Sequence, residues 1–124
     1  VVGDGVWFGQ DVFVSDAGHG YQDPDVPIGD QFGSHDPVVI GPGSWIGHGA
    51  ILLQGTRLGR NVVVAAGSVV RGEVPDHAIV AGTPARVVRR YEPGIGWVGR
   101  TGDVRPVVRA DYLQDALTEL RERA

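Results

Sequence analysis

A period of six residues is the feature of this sequence that most limits its fold. Residues at this spacing are aliphatic or Phe, in one series near the start of the chain and a longer one after residue 39: Val2, Phe8, Val14, Ile40, Ile46, Leu52, Leu58, Val64 and Val70. The residue that follows is usually small. A six-residue period fits neither the 3.6-residue turn of an α-helix nor long alternating strands. It predicts short strands joined by tight corners, with each aliphatic side chain pointing into a narrow core.

The repeat is interrupted once and ends before the C-terminal third of the chain. We expect β coils over residues 1–75, broken by a loop at 15–38, and a closing turn at 76–92. Residues 93–124 are expected to form an irregular tail, because residues 92–109 are rich in Gly and Pro, followed by a C-terminal helix with Asp111 as its N-cap. The apolar face of that helix is expected to pack on the coils or on another subunit: Leu113, Ala116, Leu117 and Leu120.

The net charge of −4 is distributed unevenly along the chain. Seven Asp and no basic residue precede Arg57, whereas eleven Arg and eight acidic residues occur from Arg57 onward. The acidic half argues against a nucleic-acid partner, and the Arg-rich half suits a small anionic ligand. No apolar run is long enough to span a membrane and no signal peptide is visible, so a cytoplasmic location is expected. The chain has no Met and begins inside a repeat, and whether an N-terminal portion is missing stays open.

Histidine is the side chain in this sequence best suited to proton transfer near neutral pH. The four histidines, His19, His35, His48 and His77, are scattered at spacings that do not suggest a metal site, and no metal is expected. The chain has no Cys and no G-x-S-x-G elbow, so a covalent nucleophile is unsupported. A direct transfer assisted by a histidine base remains. His35 and His77 are interpreted as ordinary loop histidines.

Three stretches of the sequence resemble those of one enzyme family. The sequences "VSDAGHG", "PVVIGPGSWIGHGAILLQGTRLGRNVVVAAGSVV" and "AGTPARVVRR" are similar to those of the hexapeptide-repeat acetyltransferases. The similarity is strongest to the branch of sugar and polysaccharide O-acetyltransferases and galactoside or maltose acetyltransferases, and covers about residues 1–90. It implies an all-β fold, a left-handed parallel β-helix, here with one extended loop and a C-terminal helix.

The resemblance also implies the site residues. His19 is the expected catalytic base, which deprotonates an acceptor hydroxyl as it attacks the thioester of acetyl-CoA, the co-substrate. Asp16 and Tyr21 are expected to bind or orient the acceptor. The expected cofactor-binding groups are an aromatic ring against the pantetheine arm, two backbone N–H groups, and guanidinium groups for the phosphates: Trp45, His48, Ala66, Arg71, Arg86 and Arg89. Arg71-Gly72 stands where relatives commonly have Thr-Lys, so a role of Arg71 as a substitute for that Lys stays open.

The expected partners follow from the same resemblance. A homotrimer with active sites between subunits is expected, and the acceptor is a small molecule or a glycan. The favoured reaction is O-acetylation of a sugar hydroxyl, since the carboxylates and amides of loop 15–38 suit hydroxyl groups. N-acetylation of an amino sugar or aminoglycoside-like amine is an alternative, because Asp side chains attract amines. A non-catalytic β-helix scaffold is the alternative from another class.

Overall fold

The chain folds into a short triangular prism of stacked coils, in a computed structural model that describes the backbone of residues 1–124 and every side chain except those of Tyr112 and Leu113. In chain order the strands are β1 (Trp7–Phe8), β2 (Phe13–Val14), β3 (Ala17–His19), β4 (Gly33–His35), β5 (Val39–Ile40), β6 (Trp45–Ile46), β7 (Ile51–Leu52), β8 (Arg57–Leu58), β9 (Val63–Val64), β10 (Val69–Val70), β11 (Glu73–Val74), β12 (Ala78–Gly82), β13 (Ala85–Glu92), β14 (Gly96–Gly99) and β15 (Val104–Arg105); a 3-10 turn spans Ile28–Asp30 and helix α1 spans Tyr112–Arg123. The all-β, left-handed parallel β-helix expected from the sequence is confirmed.

Three parallel sheets form the faces of the prism. Face 1 contains β1, β6, β9 and β12, face 2 contains β2, β7 and β10, and face 3 contains β5, β8 and β11. The strands stack in register, so that residues one coil apart lie directly above each other, as Ile46 does with Val64. The chain passes from face 1 to face 2 at the first corner, which contains residues 9–12, 47–50 and 65–68. It passes from face 2 to face 3 at the second corner, where loop 15–38 leaves the prism.

The six-residue period marks the core from residue 40 onward, as predicted. The inward residues of the later coils are almost fully buried: Ile40, Ile46, Leu52, Leu58, Val64 and Val70. Three of the buried corner residues carry hydroxyl groups: Ser44, Thr56 and Ser68. The Thr56 hydroxyl donates to the carbonyls of Leu53 at 2.7 Å and Val70 at 2.9 Å. A buried polar group is stable only when it is paired in this way.

The final coil is shorter than the others. Leu58 pairs with Val74, and Val64 pairs with Val80. The two partners in each of these pairs are closer together along the chain than Ile46 and Val64, which pair one coil earlier. Residues 76–92, which were expected to form a closing turn, therefore still contribute one strand, β12, to the prism. The six-residue count fails there because the corner between β10 and β11 is shortened.

The inward residues of the first coil are only partly covered. Val2, Phe8 and Val14 lie in line with the core, yet they remain 55%, 47% and 42% exposed. They point into the core as predicted, but their coil stacks on only one other coil, so one side of each residue is left uncovered.

The C-terminal tail is more regular than the sequence predicted. Strand β13 pairs with β12, and β14 and β15 follow in an antiparallel meander that extends face 1. The irregular structure expected from residue 93 is therefore wrong for β14 and β15. Gly96 shows why the composition was misleading, since it has φ +127° and any Cβ would lie 2.6 Å from the Arg105 carbonyl oxygen. A glycine that suggested a loop is required here for close strand pairing.

Helix α1 is present as expected, and the alternative that its apolar face packs on another subunit stays a prediction. Asp111 precedes the helix without making a side-chain capping bond. Leu117 and Leu120 are exposed, so this part of the apolar face does not pack on the coils, while the Leu113 side chain lies outside the described residues. No described helix is long and apolar enough to cross a membrane.

Candidate active site

His19 lies at the end of a two-stranded hairpin that rises from the second corner. Strand β3 pairs antiparallel with β4, placing Ala17 opposite His35, Gly18 opposite Ser34 and His19 opposite Gly33. The loop predicted at 15–38 is therefore an ordered hairpin at its base.

One side of this hairpin is fixed against the prism by Gln54. The Ser34 hydroxyl donates to Gln54 Oε1 at 3.1 Å. A Cβ at Gly18 would overlap the Gln54 amide, so Gly18 allows the hairpin to lie flat on that side chain. Neighbouring residues of a strand point to opposite sides, and the His19 side chain consequently points away from Gln54.

Gly20, which follows His19, is required for a different contact. The Gly20 N–H donates to the Phe32 carbonyl at 2.9 Å, which continues the hairpin beyond the paired strands. A Cβ at Gly20 would lie 2.7 Å from that same backbone oxygen. The two glycines of "GHG" thus serve two different contacts, one with the prism and one across the hairpin.

Asp16 and Tyr21, the residues expected to act with His19, are close to it in the chain but form no hydrogen bond with it. Within the described side chains, no hydrogen bond reaches the His19 imidazole or the Asp16 carboxylate; Asp16 instead accepts the Asp36 N–H at its carbonyl oxygen, at 2.9 Å. Tyr21 is 72% exposed. His19, Asp16 and Tyr21 are all free to meet a ligand from solvent.

Several polar residues of the acidic loop already have structural partners. Asp36 pairs with Arg57 at 3.0 Å, and Asp23 Oδ1 accepts the Asp25 N–H at 3.0 Å. Gln31 holds the hairpin tip, since its Nε2 donates to the carbonyls of Asp23 and Val26, each at 2.9 Å. The loop carboxylates without a side-chain bond to the described residues are Asp16, Asp25 and Asp30.

Trp45 lies on the outer surface of face 1. Its strand neighbour on the preceding coil is Trp7, and the two indoles are 54% and 75% exposed. They border an open groove of about 540 Å³ that Gly5, Gly43 and Ser44 complete. Sequence reasoning missed Trp7, although its place immediately before Phe8 matches that of Trp45 before Ile46.

Free backbone donors lie at the first corner, where His48 and Ala66 occupy the same position on successive coils. Their N–H groups have no acceptor among the described residues. Both residues are exposed. Exposed, unpaired N–H groups in a column can donate to a carbonyl-bearing or anionic ligand, so this corner fits the amide-containing arm expected from the sequence.

The three candidate Arg residues have different surroundings. Arg71 borders a groove of about 370 Å³ at the second corner, together with His35 and Gln54. Arg86 is exposed and donates to its neighbouring Ala85 carbonyl at 3.0 Å. Arg89 is the most enclosed, with only 13% of its side chain exposed.

The Arg89 guanidinium holds the C-terminal meander to face 1. It donates to the Trp97 carbonyl at 2.9 Å and pairs with the Asp103 carboxylate at 2.6 Å. These bonds, with a further one from Thr101, lower the pKa of Asp103 below its usual 3.8. A phosphate would therefore have to share Arg89 with an existing partner.

This ion pair gives a pH-dependent prediction for stability. Because folding lowers the pKa of Asp103, the pair stabilises the protein above about pH 3.8, and that contribution is lost as the pH falls through the lowered value. The Asp103→Asn variant should have a lower Tm than wild type at pH 7, and the difference should shrink as thermal melts are repeated towards pH 3. A constant Tm difference over this range would contradict an ionic origin. Asp25→Asn, which removes an unpaired carboxylate, is the matched control.

The predicted site residues fall into two groups on one chain. Trp45 and Arg89 lie on face 1, with His48 and Ala66 at the corner next to it, whereas His19 and Arg71 belong to the second corner, beyond face 2. Among the described residues no three His, Asp or Glu side chains cluster as a metal site requires.

Comparisons with known proteins agree with the fold and the repeat. Residues 37–72 match the family model of the bacterial transferase hexapeptide (six repeats). The chain is 41% identical over 91 residues to a probable acetyltransferase of Mycobacterium tuberculosis, covering 73% of this chain and 30% of that protein. It is 37% identical over 87 residues to a putative lipopolysaccharide biosynthesis O-acetyl transferase of Escherichia coli, covering 64% of this chain and 44% of that protein.

An N-acetyltransferase is also among the relatives. A 2,3,4,5-tetrahydropyridine-2,6-dicarboxylate N-acetyltransferase of Staphylococcus aureus is 46% identical over 57 residues, which cover 46% of this chain and 24% of that protein. The chain thus spans less than half the length of each of these three relatives.

Two solved structures are similar in fold. A galactoside acetyltransferase in complex with coenzyme A has a TM-score of 0.66 and 30% identity, covering 73% of this chain and 44% of that one. A hexapeptide-repeat acetyltransferase of Vibrio cholerae, complexed with acetyl-CoA, has a TM-score of 0.65 and 33% identity, covering 72% and 48%.

Proposed function

We propose that this chain, which belongs to the hexapeptide-repeat family of transferases, transfers an acetyl group from acetyl-CoA to a hydroxyl of a sugar or glycan, with His19 as the base. The observation that carries the proposal is the presentation of His19. Its hairpin is fixed to the prism on the opposite side, and its imidazole has no partner among the described residues. A general base needs this combination of a fixed backbone and an uncommitted ring nitrogen.

The proton balance of the reaction requires only His19. The neutral imidazole takes the proton of the acceptor hydroxyl while that oxygen forms a bond to the thioester carbonyl carbon. The carbon–sulfur bond then breaks, and the imidazolium returns the proton to the departing thiolate of CoA. Fixing both substrates beside one base supplies a large part of the acceleration.

The cofactor is proposed to bind to the groups on face 1 and at the first corner, with Arg71 at the second corner as a further cation for its phosphates. Trp45 contacts the pantetheine arm, the N–H groups of His48 and Ala66 donate to its amide oxygens, and guanidinium groups bind the phosphates. Arg86 is the most available of these cations, Arg71 is the one nearest the hairpin, and Arg89 contributes while holding Asp103.

Assembly is proposed to bring the two groups of residues together. The outward positions of faces 1 and 2 are largely apolar, including Trp7, Trp45 and Phe13, whereas face 3 presents Arg57 and Glu73. Exposed apolar area of this kind is typical of protein interfaces. A homotrimer that covers faces 1 and 2 would place the His19 hairpin of one subunit against the cofactor groups of its neighbour.

His48→Pro tests the backbone donor at the first corner. Pro removes the N–H together with the imidazole, and the corresponding position of the neighbouring corner is naturally Pro42 between Gly41 and Gly43, so the fold accepts it. We expect about tenfold weaker CoA binding by calorimetry, the loss of one hydrogen bond of about 1.4 kcal/mol, with Tm changed little. Unchanged affinity would remove His48 from the cofactor site. His48→Ala, which removes the imidazole and keeps the N–H, is the control and should bind CoA as wild type does.

An acceptor panel tests the reaction itself. Wild-type protein is incubated with acetyl-CoA and neutral sugars, amino sugars or an aminoglycoside, and CoA thiol and product mass are measured. We expect O-acetylated neutral sugars. Acetylation of amines alone would favour the N-acetyltransferase alternative, for which the unpaired carboxylates of Asp25 and Asp30 are the supporting observation. Absence of both CoA binding and turnover would favour the scaffold.

A further inference from the structure

A second histidine shares the exposed side of the hairpin with His19. Residues directly opposite each other in an antiparallel pair point to the same side, so the pairs Ala17–His35 and His19–Gly33 place both imidazoles on one side. Between them stand only the methyl group of Ala17 and the bare Cα of Gly33. The two histidines are diagonal neighbours at a Cα separation of about 7 Å, which imidazoles can bridge through a small ligand.

The contacts of the hairpin with the prism fix the orientation of the side that carries His19 and His35. Gly18 and Ser34 form the intervening pair, and both contact Gln54, Ser34 through the 3.1 Å hydrogen bond. Asp36, the residue after His35, is held by its ion pair with Arg57. The backbone of His35 is therefore held between two anchored residues, at the edge of the groove that Gln54 and Arg71 also border.

Neither imidazole is used within the chain. Both side chains are exposed, and neither has a hydrogen bond or an ion pair to any side chain or backbone group that the structure describes. The carboxylates nearest along the hairpin are Asp16, which makes no side-chain bond, and Asp36, which is neutralised by Arg57. Two uncommitted ring systems on one rigid side form a site for a ligand with two adjacent polar groups.

We propose that His35 binds the hydroxyl adjacent to the one that His19 deprotonates, so that the acceptor is a vicinal diol such as that of a hexopyranose ring. The inference rests on the proposed function, since it assigns His19 to the attacked hydroxyl. His35 is a specificity-determining residue here, and it takes no part in the proton transfer. A sugar ring presents two neighbouring hydroxyls in fixed geometry, and each imidazole accepts from or donates to one of them.

The test compares His35→Ala with wild type on paired acceptors. A panel of methyl hexopyranosides and their monodeoxy derivatives is used with acetyl-CoA. On the parent acceptors, His35→Ala should lower kcat/KM about tenfold, mainly through KM, as expected for one lost hydrogen bond. On the derivative that lacks the adjacent hydroxyl, wild type and His35→Ala should differ less than twofold. His35→Gln, which keeps a donor and an acceptor, should recover most of the loss.

The outcomes separate this inference from the proposed function. An equal loss on parent and deoxy acceptors, or no loss on either, overturns the role of His35 while leaving His19 as the base. Turnover of no panel member by wild type overturns both. The control is His77→Asn, which replaces a half-buried corner histidine with φ +52° by a residue that accepts that conformation, and it should match wild type on every acceptor.

Discussion

Gly41→Ala should destabilise the protein by about 3 kcal/mol or more. A Cβ at residue 41 would overlap the backbone carbonyl of Gly59 on the next coil and lie 2.8 Å from the Arg60 nitrogen. Backbone atoms cannot move aside as a side chain can, so relief requires separating two coils whose strands are in register. Overpacking of this kind costs about 1–3 kcal/mol and occasionally more, and here the Gly41 N–H bond to Leu58, at 2.9 Å, is weakened as well.

Chemical denaturation measures this effect, with Gly29→Ala as the control. Gly29 has open space around its Cα and no positive φ, so the added methyl group meets nothing. A Gly41→Ala variant within about 0.5 kcal/mol of wild type, the range of neutral surface substitutions, would contradict the stacking of β5 on β8.

His19→Ala should lower kcat by about 10²- to 10⁴-fold, the range attributed to a positioned general base. The side chain makes no bond within the described structure, so its removal should leave Tm close to that of wild type. CoA affinity should also stay within about twofold, because His19 is not among the groups proposed to bind the cofactor.

Initial rates with a panel acceptor and calorimetry with CoA separate these effects. Loss of CoA binding together with activity would indicate a damaged fold or a direct cofactor role for His19. Activity within a few fold of wild type would assign the base to another residue. His77→Asn again serves as the control, since its ring contacts only Tyr91, at a centroid distance of 5.9 Å, among the described aromatic side chains.

The parallel core was predictable because each coil buries an aliphatic side chain at the same position. Ile46 and Val64 occupy equivalent places on successive coils, and the six-residue period reports this directly. The period could not reveal that the last coil is shorter, since a shortened corner shifts Val74 and Val80 out of the count. It also could not distinguish a Gly that ends a strand from Gly96, which permits β15 to approach β14.

The candidate site was only partly predictable. The motif around His19 indicated the residue that is proposed as the base. The shared side of His19 and His35, in contrast, depends on pairing across the hairpin tip at 20–32, whose register no local pattern encodes. The partners of Arg89 were hidden for the same reason, because Asp103 is distant in the chain and reaches Arg89 only through the meander. Trp7 differs from these residues, because its position in the repeat could have been recognised from the sequence alone.

Direct transfer is the central claim, and intact mass measurement of the protein during one turnover tests it most directly. The protein is mixed with isotopically labelled acetyl-CoA, first alone and then with an acceptor from the panel, and both protein and acceptor are weighed by mass spectrometry. With His19 acting as a base, the protein mass stays unchanged throughout and the label appears on the acceptor only. A protein that gains one acetyl group without acceptor, and loses it when acceptor is added, would contradict the account.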